Sequence, residues 1–133
     1  MPADRTPTAI LRLFFWYHLP PVLLAAAILY VSSIPNLAGP TTSIIGFDKL
    51  AHIGEYGLFC WLTLRSITRD GATVLFWKRA FWVVIGLGLF AGLDEILQSF
   101  VPGRDSTVAD FAADLIGILG ATFVWKRLKT GQF

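Results

Sequence analysis

Cysteine is nearly absent from this chain. Cys60 stands alone among apolar residues, so no disulfide framework and no paired-thiol redox or zinc motif can be built within the sequence. A small core residue is the reading its surroundings support. Charge is scarce as well: Asp, Glu, Lys and Arg make up 15% of the residues against 55% hydrophobic ones, where a soluble domain carries roughly 45–50%. None of those four residue types occurs between Arg12 and Asp48. The formal charge is only +2, and the basic residues end apolar runs without forming one stripe, which removes nucleic acid as an expected partner. Also missing are H-E-x-x-H, G-x-S-x-G, a phosphate-cradling glycine loop and any internal repeat. Ser99 and Ser106 have no context that marks a nucleophile.

What remains is apolar length. The 133 residues are expected to form one domain, an integral membrane protein of the all-α class. The uncharged run from Leu13 to Ile34 can cross a hydrocarbon core of ~30 Å and predicts the first helix. It is longer than the roughly 7–15 apolar residues of a signal peptide, so a retained helix is favoured over cleavage near Val31 and Ser33. Pro20-Pro21 are expected in its first turns, and Pro35 with Pro40 ends it. Three more helices follow at about 46–64, 80–100 and 107–125. Asp70-Gly71 and Pro102-Gly103 are turn signals. Gly88 and Gly92 form a G-x-x-x-G expected to allow close helix packing.

Basic residues orient these segments. If both termini and the loop between helices two and three are cytoplasmic, that side holds Arg5, Arg12, Arg65, Arg69, Lys78, Arg79, Lys126, Arg127 and Lys129, leaving Lys49 and Arg104 outside. Two antiparallel transmembrane hairpins, N-in and C-in, are the expected result. All acids except Asp4 and Asp70 then gather at the extracytoplasmic end.

Spacing arranges those acids into stripes. Asp48, His52 and Glu55 share one face of helix two, flanked by Tyr56. Asp94 and Gln98 share a face of helix three with Glu95 about 100° round, and Asp110, Asp114 and Gly117 share one on helix four. At ~1.5 Å per residue, Glu55 and Asp114 lie roughly 10 Å inside the helix ends. A recessed pocket lined by helices two to four follows, with helix one as lipid-facing support. Bland readings accompany some of these residues. Asp48 fits an N-cap, Thr107-Val108-Ala109-Asp110 fits a capping box, Lys49 can snorkel, and Arg104 can pair with Asp105, a loop residue. Caps do not account for His52, Glu55, Asp94 or Asp114. His52, with Glu55 and Asp94, forms a candidate acid–base set. Asp48, Lys49, Tyr56, Glu95, Gln98, Arg104, Asp110 and Asp114 are candidate binding residues, Lys49 and Arg104 for an anionic headgroup. A divalent metal of the manganese, iron, magnesium or calcium type is a second chemistry the set allows, with His52, Asp94 and Asp110 as candidate ligands.

Four segments together resemble the VanZ-like family of small bacterial membrane proteins: Asp48-Lys49-x-x-His52-x-x-x-Tyr56, Asp94-Glu95-x-x-Gln98-x-Phe100, Pro102-Gly103-Arg104 and Asp110-x-x-x-Asp114-x-x-Gly117. The first helix matches only as an apolar segment. Asp114 stands where that family commonly has Asn, and Ala121 replaces its later glycine. The resemblance implies a multipass protein of the bacterial cytoplasmic membrane acting in the cell envelope, since the family is named for a member associated with reduced susceptibility to teicoplanin-type glycopeptides. Membrane lipid and a lipid-linked or cell-wall precursor are the expected partners. A non-catalytic protein whose polar network is structural or binds a ligand or partner is the alternative.

Overall fold

A computed structural model of the chain describes residues 6–37, 46–68, 75–104 and 106–130. Arg5, Pro40, Arg69, Asp70-Gly71 and Asp105, to which roles are assigned above, lie outside these. The described residues form four helices and no strand: α1 (Pro7–Ser32), α2 (Phe47–Ile67), α3 (Phe76–Ser99) and α4 (Val108–Thr130).

Three of them, Pro7–Ser32, Phe76–Ser99 and Val108–Lys129, are long and apolar enough to cross a membrane. α2, at 21 residues, reaches ~31 Å but is diluted by Asp48, Lys49, His52 and Glu55. Its inner face buries Tyr56, Phe59, Cys60 and Leu64.

The helix ends differ from expectation for local reasons. α1 starts at Pro7 in its first turn, where a proline costs no hydrogen bond. Pro20-Pro21 therefore fall inside the helix, not in its first turns. The turn before them, Phe14–His18, widens to π geometry, with Leu19 N–H donating to Phe14 O, so the ladder shifts register where proline cannot donate. α3 begins before Lys78 and Arg79. α4 runs on through Arg127 and Lys129, whose charges suit the negative end of the helix dipole.

Helix directions follow from the contacts. α2 and α4 meet in ascending order on both, through Lys49 and Asp110, His52 and Asp114, Cys60 and Thr122, Trp61 and Trp125, so they run parallel. α3 opposes α2, because Tyr56 packs near Phe90 while Arg79 Nη1 donates to Ile67 O. α1 also opposes α2: its His18 meets Ser66 and its Ser32 approaches the Tyr56 level through Asp94.

The closest approach lies where α2 crosses α4. A Cβ added at Gly117 would sit 2.9 Å from Gly57 N, closer than real Cβ atoms pack, and 3.1 Å from Ile53 C, tighter than most of their contacts. Only glycine lets the two backbones come this near. The Gly88/Gly92 pair behaves otherwise than expected. A Cβ there would meet only the side chains of Leu115 and Phe111, at 3.5 and 3.7 Å, in ordinary van der Waals contact. The tight seam is α2 on α4, not α3 on α4.

The two ends of the bundle differ in chemistry. At one, Arg65 lies over Tyr17, Lys126 over Trp77, and Trp125 Nε1 donates to Thr68 Oγ1. At the other end are the acids. There Asn36 N–H donates to Pro102 O at 2.9 Å and Arg104 Nη1 donates to Leu37 O at 3.2 Å, joining the segment after α1 to the α3–α4 loop. Gly103, at φ +74°, takes the left-handed conformation of that turn directly against Asn36.

Candidate functional site

Helical spacing delivers the acids to one level of the bundle, and the parallel pairing of α2 with α4 then matches them rung by rung. Lys49 bonds Asp48 at 2.7 Å and also pairs with Asp110. One turn on, His52 Nδ1 lies 2.8 Å from Asp114 Oδ1, with His52 Nε2 3.9 Å from Asp110 Oδ1. Asp110 and Asp114 are both buried, while the Asp48 side chain is 59% exposed. Asp48 is not the N-cap, a position taken by Gly46 at φ +109°. Asp110 does close a capping box: Thr107 Oγ1 donates to Asp110 Oδ2 at 2.6 Å and accepts from the Asp110 N–H at 3.2 Å. It caps α4 and holds Lys49 at once.

Asp94 is the hub of a second cluster. Its Oδ2 accepts from Ser32 Oγ at 2.9 Å, Gln98 Nε2 at 3.1 Å and Tyr56 OH at 3.4 Å, and Gln98 Nε2 also reaches Ser32 Oγ at 3.0 Å. Three helices are joined at this one oxygen. Glu95, one residue round the helix, receives the Ser106 hydroxyl on Oε2 at 2.5 Å. Glu55 is half-buried and sits in the electrostatic field of His52, Asp94, Asp114 and Arg104.

Several polar atoms here are buried without a partner among the described residues: Asp94 Oδ1, Glu95 Oε1, Asp114 Oδ2 and Arg104 Nε. An orphaned buried polar atom costs about 1–3 kcal/mol, more when charged, so four in one place mark a region fitted to something else. Next to it, a cavity of about 350 Å³ opens between α3 and α4, with Ile96, Val108 and Phe111 at its wall and Glu95 and Ser106 on its polar side. A donor set for a metal also assembles. One ligand atom each from His52, Glu95 and Asp114 lie within 4.8 Å of one another. Asp94 and Asp110 are not part of that set.

Two contributors carry no recognisable signal in the sequence. Ser32 lies on α1, expected above only as support, and its hydroxyl is one serine among apolar residues. Ser106 is marked only by its place two residues after Pro102-Gly103-Arg104. Neither could be assigned without knowing which helix faces Asp94 and Glu95.

No curated protein and no solved structure matches the chain. The sequence model described as VanZ/LLP1 matches residues 6–129, spanning all four helices and every residue of the two clusters. The segments around His52, Asp94, Arg104 and Asp114 that resemble this family are also those that the fold brings together, and the chain belongs to the VanZ/LLP1 family of membrane proteins.

Proposed function

We propose that this protein is a multipass protein of the bacterial cytoplasmic membrane, with four transmembrane helices in two antiparallel hairpins and both termini inside. Its polar end faces outward and binds the headgroup of a polar lipid or lipid-linked cell-wall precursor. The observation that carries this reading is the α3–α4 cavity. Its apolar wall, with Ile96 and Val108 exposed at 56% and 84%, suits a lipid tail, and its polar side ends at Glu95, beside His52 and Asp114.

Roles divide by what each side chain already holds. Lys49 is engaged by Asp48 and Asp110, so Arg104, with Nε unpartnered, is the cation left to receive an anionic headgroup. His52, oriented by Asp114, is the group placed to accept or donate a proton should the headgroup be modified as well as bound. Asp94 supports a second role. With Ser32, Tyr56 and Gln98 on one of its oxygens, it locks three helices around the site.

A photoactivatable lipid phosphate in vesicles tests the reading. It is expected to crosslink to peptides bearing Ile96 and Phe111. Filling the cavity mouth with Ile96→Trp should lower the yield by about tenfold, equivalent to ~1.4 kcal/mol. Equal labelling in the variant, or labelling spread evenly over all four helices, would contradict it.

A further inference from the structure

Glu95 Oε1 and Asp114 Oδ2 accept no hydrogen bond from any described residue. Both side chains are more than nine-tenths buried, at 7% and 1% exposure. A cation satisfies both at once.

We infer that His52, Glu95 and Asp114 form a binding site for a single divalent cation of the manganese class. Three helix-borne ligands from α2, α3 and α4 are involved, one imidazole and two carboxylates. Oxygen-rich sets with a single nitrogen suit manganese or magnesium better than a structural zinc or a thiol-seeking metal. His52 Nδ1 bonds Asp114 Oδ1 at 2.8 Å, which leaves Oδ2 as the oxygen offered by Asp114. The spacing is close to what an ion needs: opposite ligands of an octahedral ion at ~2.1 Å are ~4.2 Å apart, and the three donors lie within 4.8 Å of one another. His52 then exchanges its hydrogen bond to Asp114 for the ion.

The surroundings fix the set. Asp110 has Lys49 on one oxygen and Thr107 on the other, and Asp94, with Ser32, Tyr56 and Gln98 on Oδ2 and Oδ1 unpartnered, lies outside the set of mutually close donors. Neither is needed as a ligand. Ser106 holds Glu95 Oε2, which leaves Oε1 as the oxygen offered, the kind of outer support that orients metal carboxylates. Three protein ligands leave positions open on the ion, where a phosphate or carboxylate oxygen of a headgroup can enter. This last step rests on the proposed function; the ion site does not.

Manganese alone is the probe. The full chain, purified in detergent and stripped with a chelator, is titrated with Mn²⁺ while the free-ion electron paramagnetic resonance signal is followed. One ion per chain should bind, magnesium should compete, and Asp114→Asn and Glu95→Gln should each weaken binding by tenfold or more. Lys78→Gln, exposed near the start of α3 at the other end of the bundle, should leave it unchanged. Helical circular dichroism verifies each variant's fold, and Glu95→Asp, which keeps the charge, should retain part of the affinity if Asp114→Asn fails to fold. No binding at millimolar Mn²⁺, or equal binding in Glu95→Gln and wild type, overturns the inference. If Mn²⁺ does not bind and lipid crosslinking persists, only the ion site fails. If Mn²⁺ binds and crosslinking is absent, only the headgroup reading fails.

Discussion

Gly117→Ala is expected to destabilise the protein by roughly 2–3 kcal/mol, the upper part of the range for overpacking, and to dismantle the site. The added methyl would meet backbone atoms of Ile53 and Gly57, and backbone cannot rotate away as a side chain can. The strain falls on α2 against α4, the most extensive helix contact in the fold. Lys49–Asp110 and His52–Asp114 bridge that same seam, so separating the helices by a methyl's width stretches both pairs. Gly57→Ala is the control. Its Cβ would lie 3.5 Å from Gly117 O, an ordinary contact, and the change should be near neutral. Thermal unfolding in one detergent, with lipid crosslinking as a second readout, checks both. A Gly117→Ala protein as stable as wild type would mean that the seam is looser than the geometry requires.

His52→Gln is expected to lower lipid-phosphate crosslinking by about 10–100-fold while leaving the melting temperature close to that of wild type. The amide can still hydrogen-bond Asp114, so packing is preserved, but the imidazole that accepts a proton or a metal is gone. Interactions involving charged groups are worth about 1.5–3 kcal/mol, which sets the size of the effect. Asp94→Ala should behave in the opposite way. It removes the acceptor shared by Ser32, Tyr56 and Gln98, leaving buried donors unpaired at a cost of about 1–3 kcal/mol each. Stability should fall first, and binding only with it. If His52→Gln also lowers stability and leaves crosslinking untouched, the whole network is a helix lock and not a site.

Much of this arrangement was legible before any coordinates. Helical periodicity placed His52 with Asp48 and Glu55, Asp94 with Gln98, and Asp110 with Asp114, because an α-helix leaves little freedom in which residues share a face. Gly117 was legible on the Asp110–Asp114 face for the same reason. The motifs also sufficed to identify the family. What periodicity cannot supply is which stripe faces which. Ser32 was invisible because a lone serine in an apolar run says nothing about its neighbour, and the pairing of Glu95 with Ser106 depends on how the α3–α4 turn folds back. Pro20-Pro21 misled because prolines usually mark a helix start, whereas here the π-widened turn at Phe14–His18 carries the helix through them. Gly88 and Gly92 misled because a small-residue spacing permits close packing without requiring it.

The headgroup reading of the polar end depends on its facing outward, and cysteine accessibility tests this most directly. Cys60 is fully buried and is the only native thiol, so a Cys60→Ser background is silent. In that background, Pro102→Cys, beside Arg104 in the α3–α4 turn, should be labelled in intact spheroplasts by a membrane-impermeant maleimide. Lys129→Cys, near the end of α4, should be labelled only after the membrane is opened. Labelling of position 129 from outside with position 102 protected would place the His52–Asp114 site on the cytoplasmic side and contradict the account.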